Sequence, residues 1–138
     1  MNDQISAAHA LHLLRRQRHS FLNHLQVISG WLQLDRPERA KAYLETVAAG
    51  MTAESEALRP VGAALGLLML ELGLEAETHG ARLQWTVTGT QITLPDEQQA
   101  ALREQVLAAL ERARGGSVLI HLAADGFSVH TPSSEGEG

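Results

Sequence analysis

The fold is decided by residues 13–34, which read LLRRQRHSFLNHLQVISGWLQL. Six residues in this stretch are spaced alternately four and three apart, and all but one of them are apolar. They are Leu14, Arg18, Phe21, Leu25, Ile28 and Leu32. This spacing is the heptad pattern of helices that pair along an apolar stripe. We therefore predict one helix over residues 6–34, about 40–45 Å long, whose stripe needs a partner.

A second helix is predicted after a turn at residues 35–38, where Asp35 is placed to cap it and Pro37 lies in its first turn. Its apolar residues have similar spacing, and they are Ala40, Leu44, Val47, Met51 and Leu58. So short a turn makes the two helices antiparallel. A lone hairpin buries too little surface, so we expect a homodimer that pairs two hairpins into a four-helix bundle. The alternative is that the hairpin packs on its own C-terminal domain.

The chain divides near Pro60, because proline disfavours helix in the preceding residue. The part up to residue 58 is neutral overall, and the remainder carries the net charge of −5. We predict a hairpin domain over 1–59, a small α/β domain over 60–131 and a disordered tail over 132–138. The fold class is therefore α+β.

Helix and strand patterns alternate in the second domain. Helices are predicted over 61–79, which Gly80 would stop, and over 97–114, which two glycines would end. Strands are predicted at 83–87, 92–94, 118–122 and 127–130, with a hairpin turn at Asp125-Gly126.

Composition excludes several classes of function. The 138 residues include no cysteine, which removes disulfide frameworks, thiol catalysis and zinc–thiolate sites. The negative net charge argues against nucleic-acid binding, and the scattered histidines suggest no metal site. The longest apolar stretch, 61–74, is too short to span a membrane, and the polar start is unlike a secretory signal. We expect a cytoplasmic protein with no membrane contact.

The polar face of the first helix carries the candidate chemistry. One stripe away from the apolar seam holds His19, Asn23, Gln26 and Gln33, and within about one turn before His19 lie Arg15, Arg16 and Arg18. Imidazole is nucleophilic near neutral pH, and guanidinium groups neutralise and orient a phosphoryl group. Phosphoryl transfer depends mainly on positioning and charge stabilisation, so this sparse set could suffice. The alternative is that His19 is an ordinary solvated histidine.

The motif Arg18-His19-x-Phe21-x-Asn23-x-Leu25-Gln26-x-Ile28-x-Gly30-x-Leu32-Gln33-Leu34 resembles the phosphoacceptor hairpin of the sporulation initiation phosphotransferase B family. Citrate/malate-type sensor histidine kinases share this hairpin. The resemblance covers about a quarter of the chain. It implies a dimeric four-helix bundle followed by a degenerate histidine-kinase-ATPase-like α/β domain.

The resemblance also implies a function. His19 would accept a phosphoryl group from the aspartyl phosphate of one response regulator and pass it to the aspartate of a second. Asn23 and Arg18 would be the catalytic neighbours of His19, while Arg15, Arg16 and Gln26 would contribute to binding. Response-regulator receiver domains are thus the expected partners, and their carboxylates suit a locally basic helix.

Kinases of this family carry an asparagine-rich, magnesium-binding helix and a glycine-rich loop. The matching helix, 102–113, has no asparagine or aspartate. Ala108 and Ala109 stand where the kinases carry an acidic residue and an asparagine. About a dozen residues follow Asp125-Gly126, too few for a nucleotide lid. Ser20 replaces the family's acidic residue, which can remove the ring proton during attack on ATP. We therefore expect a phosphotransferase and not an ATP-dependent kinase.

No bound cofactor is expected, because the Mg²⁺ for transfer would come from the regulator. Two alternatives stay open. The first is a sensor-kinase remnant that acts as a phosphate sink or regulator. The second is a non-enzymatic dimeric module that binds a response regulator.

Overall fold

The computed structural model describes residues 7–113 and 115–132. The chain forms two compact units, Met1–Glu56 and Ala57–Gly138. The predicted disordered tail lies outside the described residues, apart from its first residue, Pro132.

The first unit is a helical hairpin. Helix α1 spans Ala7–Gln33 and helix α2 spans Pro37–Leu58. Two contacts show that the helices run antiparallel. The His24 Nδ1 atom and the Tyr43 hydroxyl are hydrogen-bonded at 2.6 Å. The Arg39 guanidinium lies 5.1 Å from the centre of the Trp31 ring. The predicted hairpin is therefore present, and Tyr43 and Trp31 each contact a residue of the opposite helix.

The turn between the helices corrects the predicted role of Asp35. This residue adopts a left-handed backbone conformation with φ of 59°. Its amide donates to the Leu32 carbonyl at 3.0 Å, and the Arg36 amide donates to the Trp31 carbonyl at 2.8 Å. These two bonds form a Schellman motif, which ends a helix. Asp35 therefore terminates α1 instead of capping α2.

The second unit contains helix α3 (Ala63–Thr78), strand β1 (Arg82–Thr88), helix α4 (Asp96–Ala113), strand β2 (Ser117–Ala123) and strand β3 (Gly126–His130). Within the described residues the sheet has three strands in the order β1-β2-β3. Strand β1 pairs with β2 in parallel, and β2 pairs with β3 as an antiparallel hairpin. Helix α4 is the crossover between the parallel strands, as such a pairing requires. The α+β fold class is thus confirmed.

The core of this unit lies between the two helices and one face of the sheet. Alternate residues of β2 face it, and Val118, Ile120 and Leu122 are almost completely buried. The helices contribute Leu65, Met69, Leu72, Leu102, Val106 and Leu110, and the segment between β1 and α4 contributes Ile92, all of them fully buried. A bidentate ion pair also joins the helices: Arg103 donates to both carboxylate oxygens of Glu71, at 2.6 and 2.8 Å.

Two local features refine the sequence prediction. Gly80 has a φ of 69° and closes a Schellman motif at the end of α3, as predicted.

The prediction of a strand at 92–94 is wrong, since only Ile92 forms a bridge, which pairs it with Val61. A left-handed residue, Gln91, precedes this bridge, and Pro95 follows it without an amide to donate. A longer strand is therefore prevented before Ile92 by the left-handed backbone of Gln91, and after it by Pro95, which has no amide to donate.

Candidate functional site

Helix α1 presents three faces, because successive residues turn by about 100°. The first face is directed to α2. It includes Ser20, which is 8% exposed, His24, which bonds to Tyr43, and Trp31 beneath Arg39. These contacts fix the rotation of α1 about its axis and so determine where the other faces point.

The second face is apolar and uncovered within the hairpin. We call it the exposed seam, and it consists of Leu14, Phe21, Leu25 and Leu32. These side chains are 60%, 49%, 46% and 56% exposed, respectively. Leu44 and Met51 of α2 are also more than half exposed. These six positions therefore do not join the two helices of one hairpin, whereas Ala40 is buried and Ile28 and Val47 are half-buried.

The third face carries the predicted phosphoacceptor, and we call it the histidine stripe. Its members Arg15, His19, Asn23 and Gln26 are all exposed. They lie within about 80° of one another around the helix. Among the described residues, the His19 side chain has no hydrogen-bond or ion-pair partner. The imidazole is therefore open to an incoming protein.

The two remaining arginines lie differently. Arg18 is exposed, but it stands about 100° from His19, on the side of the exposed seam. Arg16 is half-buried, on the side toward α2, and already interacts within the chain. The structure thus brings Arg15, Asn23 and Gln26 onto the face of His19, and Arg18 flanks that face.

Ser20 is buried, although it follows the exposed His19. Its side chain is turned toward α2 and takes part in an interaction within the chain. The difference between serine and the family's acidic residue is therefore a difference inside the hairpin and not on the surface that carries His19.

The contact between His24 and Tyr43 is one that the sequence analysis did not find. Its ring is half-buried, and the two ring centres are 5.7 Å apart. A signal existed in the sequence. Once the turn is located at residues 34–36, an antiparallel arrangement places these two positions at comparable distances from it.

No other candidate site emerges from residues 7–113 and 115–132. They contain no group of three or more histidine, aspartate or glutamate residues that could hold a metal ion. Nor does any helix in this part of the chain combine the length and the apolarity needed to cross a membrane.

Residues 1–60 match the family model described as sensor kinase SpoOB-type, alpha-helical domain. This match confirms that residues 1–60 resemble the sporulation initiation phosphotransferase B family. The chain is accordingly related to phosphorelay and two-component proteins. No curated protein matches it.

Proposed function

We propose that the protein is a histidine phosphotransferase that carries a phosphoryl group between the aspartates of two response regulators. One observation carries this proposal: His19 is exposed and unpartnered among the described residues, on a rigid helix that the SpoOB-type family model covers. The expected exchange with response regulators gives it a cytoplasmic site of action.

The reaction has two balanced steps. The unprotonated ring nitrogen of His19 attacks the phosphorus of an aspartyl phosphate, and the bond from phosphorus to the carboxylate oxygen breaks. This forms a nitrogen–phosphorus bond, releases the free aspartate, and leaves a phosphoimidazolium that can lose the proton of its other nitrogen to water. In the second step an aspartate of another regulator attacks the phosphorus. The imidazole then leaves and regains that proton.

The neighbouring side chains assist by position and charge. Arg15 precedes His19 by one turn on the same face, so its guanidinium can approach the phosphoryl oxygens. Asn23 follows by one turn and can donate to the ring or to the same oxygens. Arg18 and Arg16 add positive charge beside this face, and Gln26 extends its polar surface. Mg²⁺ is expected to enter with the regulator.

Two observations support transfer without ATP. Helix α4 contains no asparagine. Ala109, which stands at one of the positions where the kinases carry a metal-binding side chain, is 0% exposed and belongs to the hydrophobic core. A magnesium ligand at this position would need a polar cavity, whereas the side chain here is packed against other apolar residues.

A homodimer is part of the proposal. The exposed seam would be covered by the same seam of a second copy, which forms the four-helix bundle expected from the heptad spacing. The opposite side of α1, with the histidine stripe, would then stay outside the bundle. Dimerisation and docking would thus use different surfaces.

The test is a transfer experiment without ATP. The protein is mixed with Mg²⁺ and an isolated receiver domain that carries labelled phosphate on its aspartate. We expect the wild type to acquire an acid-labile, base-stable label, and to pass it on to a second receiver domain. His19→Gln should acquire none. His12→Gln is the matched control, because His12 is exposed about two turns upstream on the same face.

Each unexpected outcome has a definite meaning. Label that persists in His19→Gln would remove His19 from the mechanism. Labelling by ATP alone would refute the proposed absence of kinase activity. Receiver binding without any label would leave the non-enzymatic binding module as the function.

A further inference from the structure

Strand β1 forms one edge of the sheet, and no strand of the described residues pairs with its outer side. On its inner side the Arg82 amide donates to the Gly116 carbonyl at 3.0 Å, and the parallel register with β2 continues from there. The amide and the carbonyl of one strand residue point to the same side, and successive residues alternate. The outward groups therefore belong to Leu83, Trp85 and Val87, each of which presents one donor and one acceptor at the free edge.

The side chains of these three residues lie on the core face of the sheet. They pack against the hydrophobic core of the second unit but are only half-buried. The alternate residues point to the other side of the sheet, which we call the open face of β1; they are all exposed, and they are Arg82, Gln84, Thr86 and Thr88. A strand added at this edge would therefore extend an apolar layer that is only partly covered.

Strand β1 lacks the features by which proteins protect an open edge. Such edges are often short, interrupted by a bulge, or marked with proline or lysine. The other edge strand, β3, has five residues, begins at Gly126 with a φ of 150° and is closely followed by Pro132. Strand β1 has seven residues without proline, glycine or lysine, and its partners on β2 are consecutive. Its edge is therefore open to pairing over its whole length.

We propose that β1 pairs with β1 of a second copy of the chain, antiparallel and with the two-fold axis at Trp85. Trp85 then lies opposite Trp85 of the second copy, and Leu83 lies opposite Val87 of the second copy. Opposed residues whose backbone groups point toward each other exchange two hydrogen bonds, so this register forms six. A shift by two residues would leave one outward residue of each copy unpaired.

The side chains suit a second copy as the partner. On the core face, the opposed side chains are all apolar, and cross-strand pairs of aromatic and β-branched residues stabilise a sheet. On the open face, Arg82 is the only charged residue of β1, and it lies opposite Thr88 of the second copy. No like charges are therefore opposed, and the same alternation of apolar and polar residues is supplied by both strands.

The size of the interface determines when it forms. A strand of seven residues is well short of the about 20–30 residues a side that a stable interface uses. Edge pairing is therefore weaker than the proposed bundle interface, and it joins bundle dimers to one another at high concentration. It involves neither the hairpin nor His19, so it holds or fails independently of the proposed phosphotransfer.

The test uses the full chain with Leu25→Asp, which places a carboxylate in the exposed seam and removes association through the bundle. Sedimentation equilibrium up to about 1 mM protein should still show a monomer–dimer equilibrium. In this background, Gln84→Glu with Thr86→Glu puts like charges opposite each other in two cross-strand pairs and should weaken the dimer about tenfold. Gln84→Glu with Thr86→Lys puts opposite charges in the same pairs, so its dimer should be at least as tight as that of Leu25→Asp alone.

The matched control is Ser128→Glu in the same background. Ser128 lies on the same side of the sheet, in register with Thr86 through His121, but it belongs to β3. This variant should leave the dimer affinity unchanged. All these positions are on the side of the sheet away from the core, so each variant should stay folded, which its melting temperature checks.

Amide exchange locates the contact. The amides of Leu83, Trp85 and Val87 should exchange more slowly as the protein concentration rises, whereas those of Gln84 and Thr86 are already bonded to β2. A Leu25→Asp chain that stays monomeric up to about 1 mM would overturn the edge pairing. Equal affinities of the two double variants, or a loss in Ser128→Glu as large as that in the doubly acidic variant, would overturn it as well.

Discussion

The homodimer can be tested at Leu25, in the middle of the exposed seam. This side chain is 46% exposed in the hairpin. Full burial of a leucine contributes about 1.5–3 kcal/mol, so the part still open to solvent corresponds to about 1 kcal/mol. A two-fold interface uses each residue twice, which makes the loss of this leucine worth about 2 kcal/mol for the dimer.

Leu25→Asp should cost more than this apolar term. Two carboxylates would be placed in an apolar seam, and burial of a charge without a partner is strongly unfavourable. With a further cost of about 1 kcal/mol per carboxylate as a lower bound, dimerisation weakens by about 4 kcal/mol, or about a thousandfold in Kd. Sedimentation equilibrium over a wide concentration range measures this change.

The control is Leu34→Asp, because Leu34 is 68% exposed but lies in the turn and outside the heptad positions. Its dimer affinity should equal that of the wild type. The reasoning fails if Leu25→Asp dimerises as tightly as the wild type. It fails equally if the wild type sediments as a single 14.9 kDa species at every concentration.

Three further predictions concern stability. Tyr43→Phe removes the hydroxyl that is hydrogen-bonded to His24, and it should lower the free energy of unfolding by about 0.5–1.5 kcal/mol in urea titrations; no change would mean that this contact does not hold the hairpin. Leu72→Ala opens a cavity at a side chain that is 0% exposed, and calorimetry should show a loss of about 2–5 kcal/mol. Arg103→Ala removes the bidentate partner of Glu71, whose side chain is 14% exposed, and should cost about 1–3 kcal/mol. Replacing both residues of this ion pair by leucine should recover most of that loss. If the double variant were as unstable as Arg103→Ala, the loss would not come from the carboxylate of Glu71 that is left without Arg103.

The stabilisation that Arg103 contributes should not change with pH around neutrality, which unfolding titrations at neighbouring pH values measure. The hydrogen bond to Glu71 raises the pKa of the guanidinium above its usual range, against a smaller opposing effect of burial. A raised pKa stabilises the fold while the group is protonated, and this stabilisation is lost only as the pH rises through the folded-state pKa. That pKa lies well beyond neutral pH.

The helices and strands were largely predictable because their signals are periodic. The four-and-three spacing in α1 predicts a helix with one apolar face, and the alternation in β1 predicts a strand with one buried face, whatever the rest of the chain does. The prediction failed where backbone conformation decides the outcome. Asp35 and Gln91 both have a positive φ, which residue type alone does not reveal. A short polar residue before proline is compatible with a cap of the next helix and with the end of the previous one.

The sequence predicted which polar residues lie on one face of α1, but not which face of α1 is open to a partner. Spacing alone grouped His19, Asn23 and Gln26. It also associated Arg18 and Arg16 with His19, because all three are close in sequence. Separating them required the rotation of α1 about its axis, which the contacts made by Ser20, His24 and Trp31 determine.

Helix α1 therefore presents three faces with different roles, and the helical repeat decides which residues share each face. Residues toward α2 stabilise the hairpin, the exposed seam is open to the proposed second copy, and the histidine stripe is open to the proposed receiver domain. A change on one face alters the others only through the position of the helix axis.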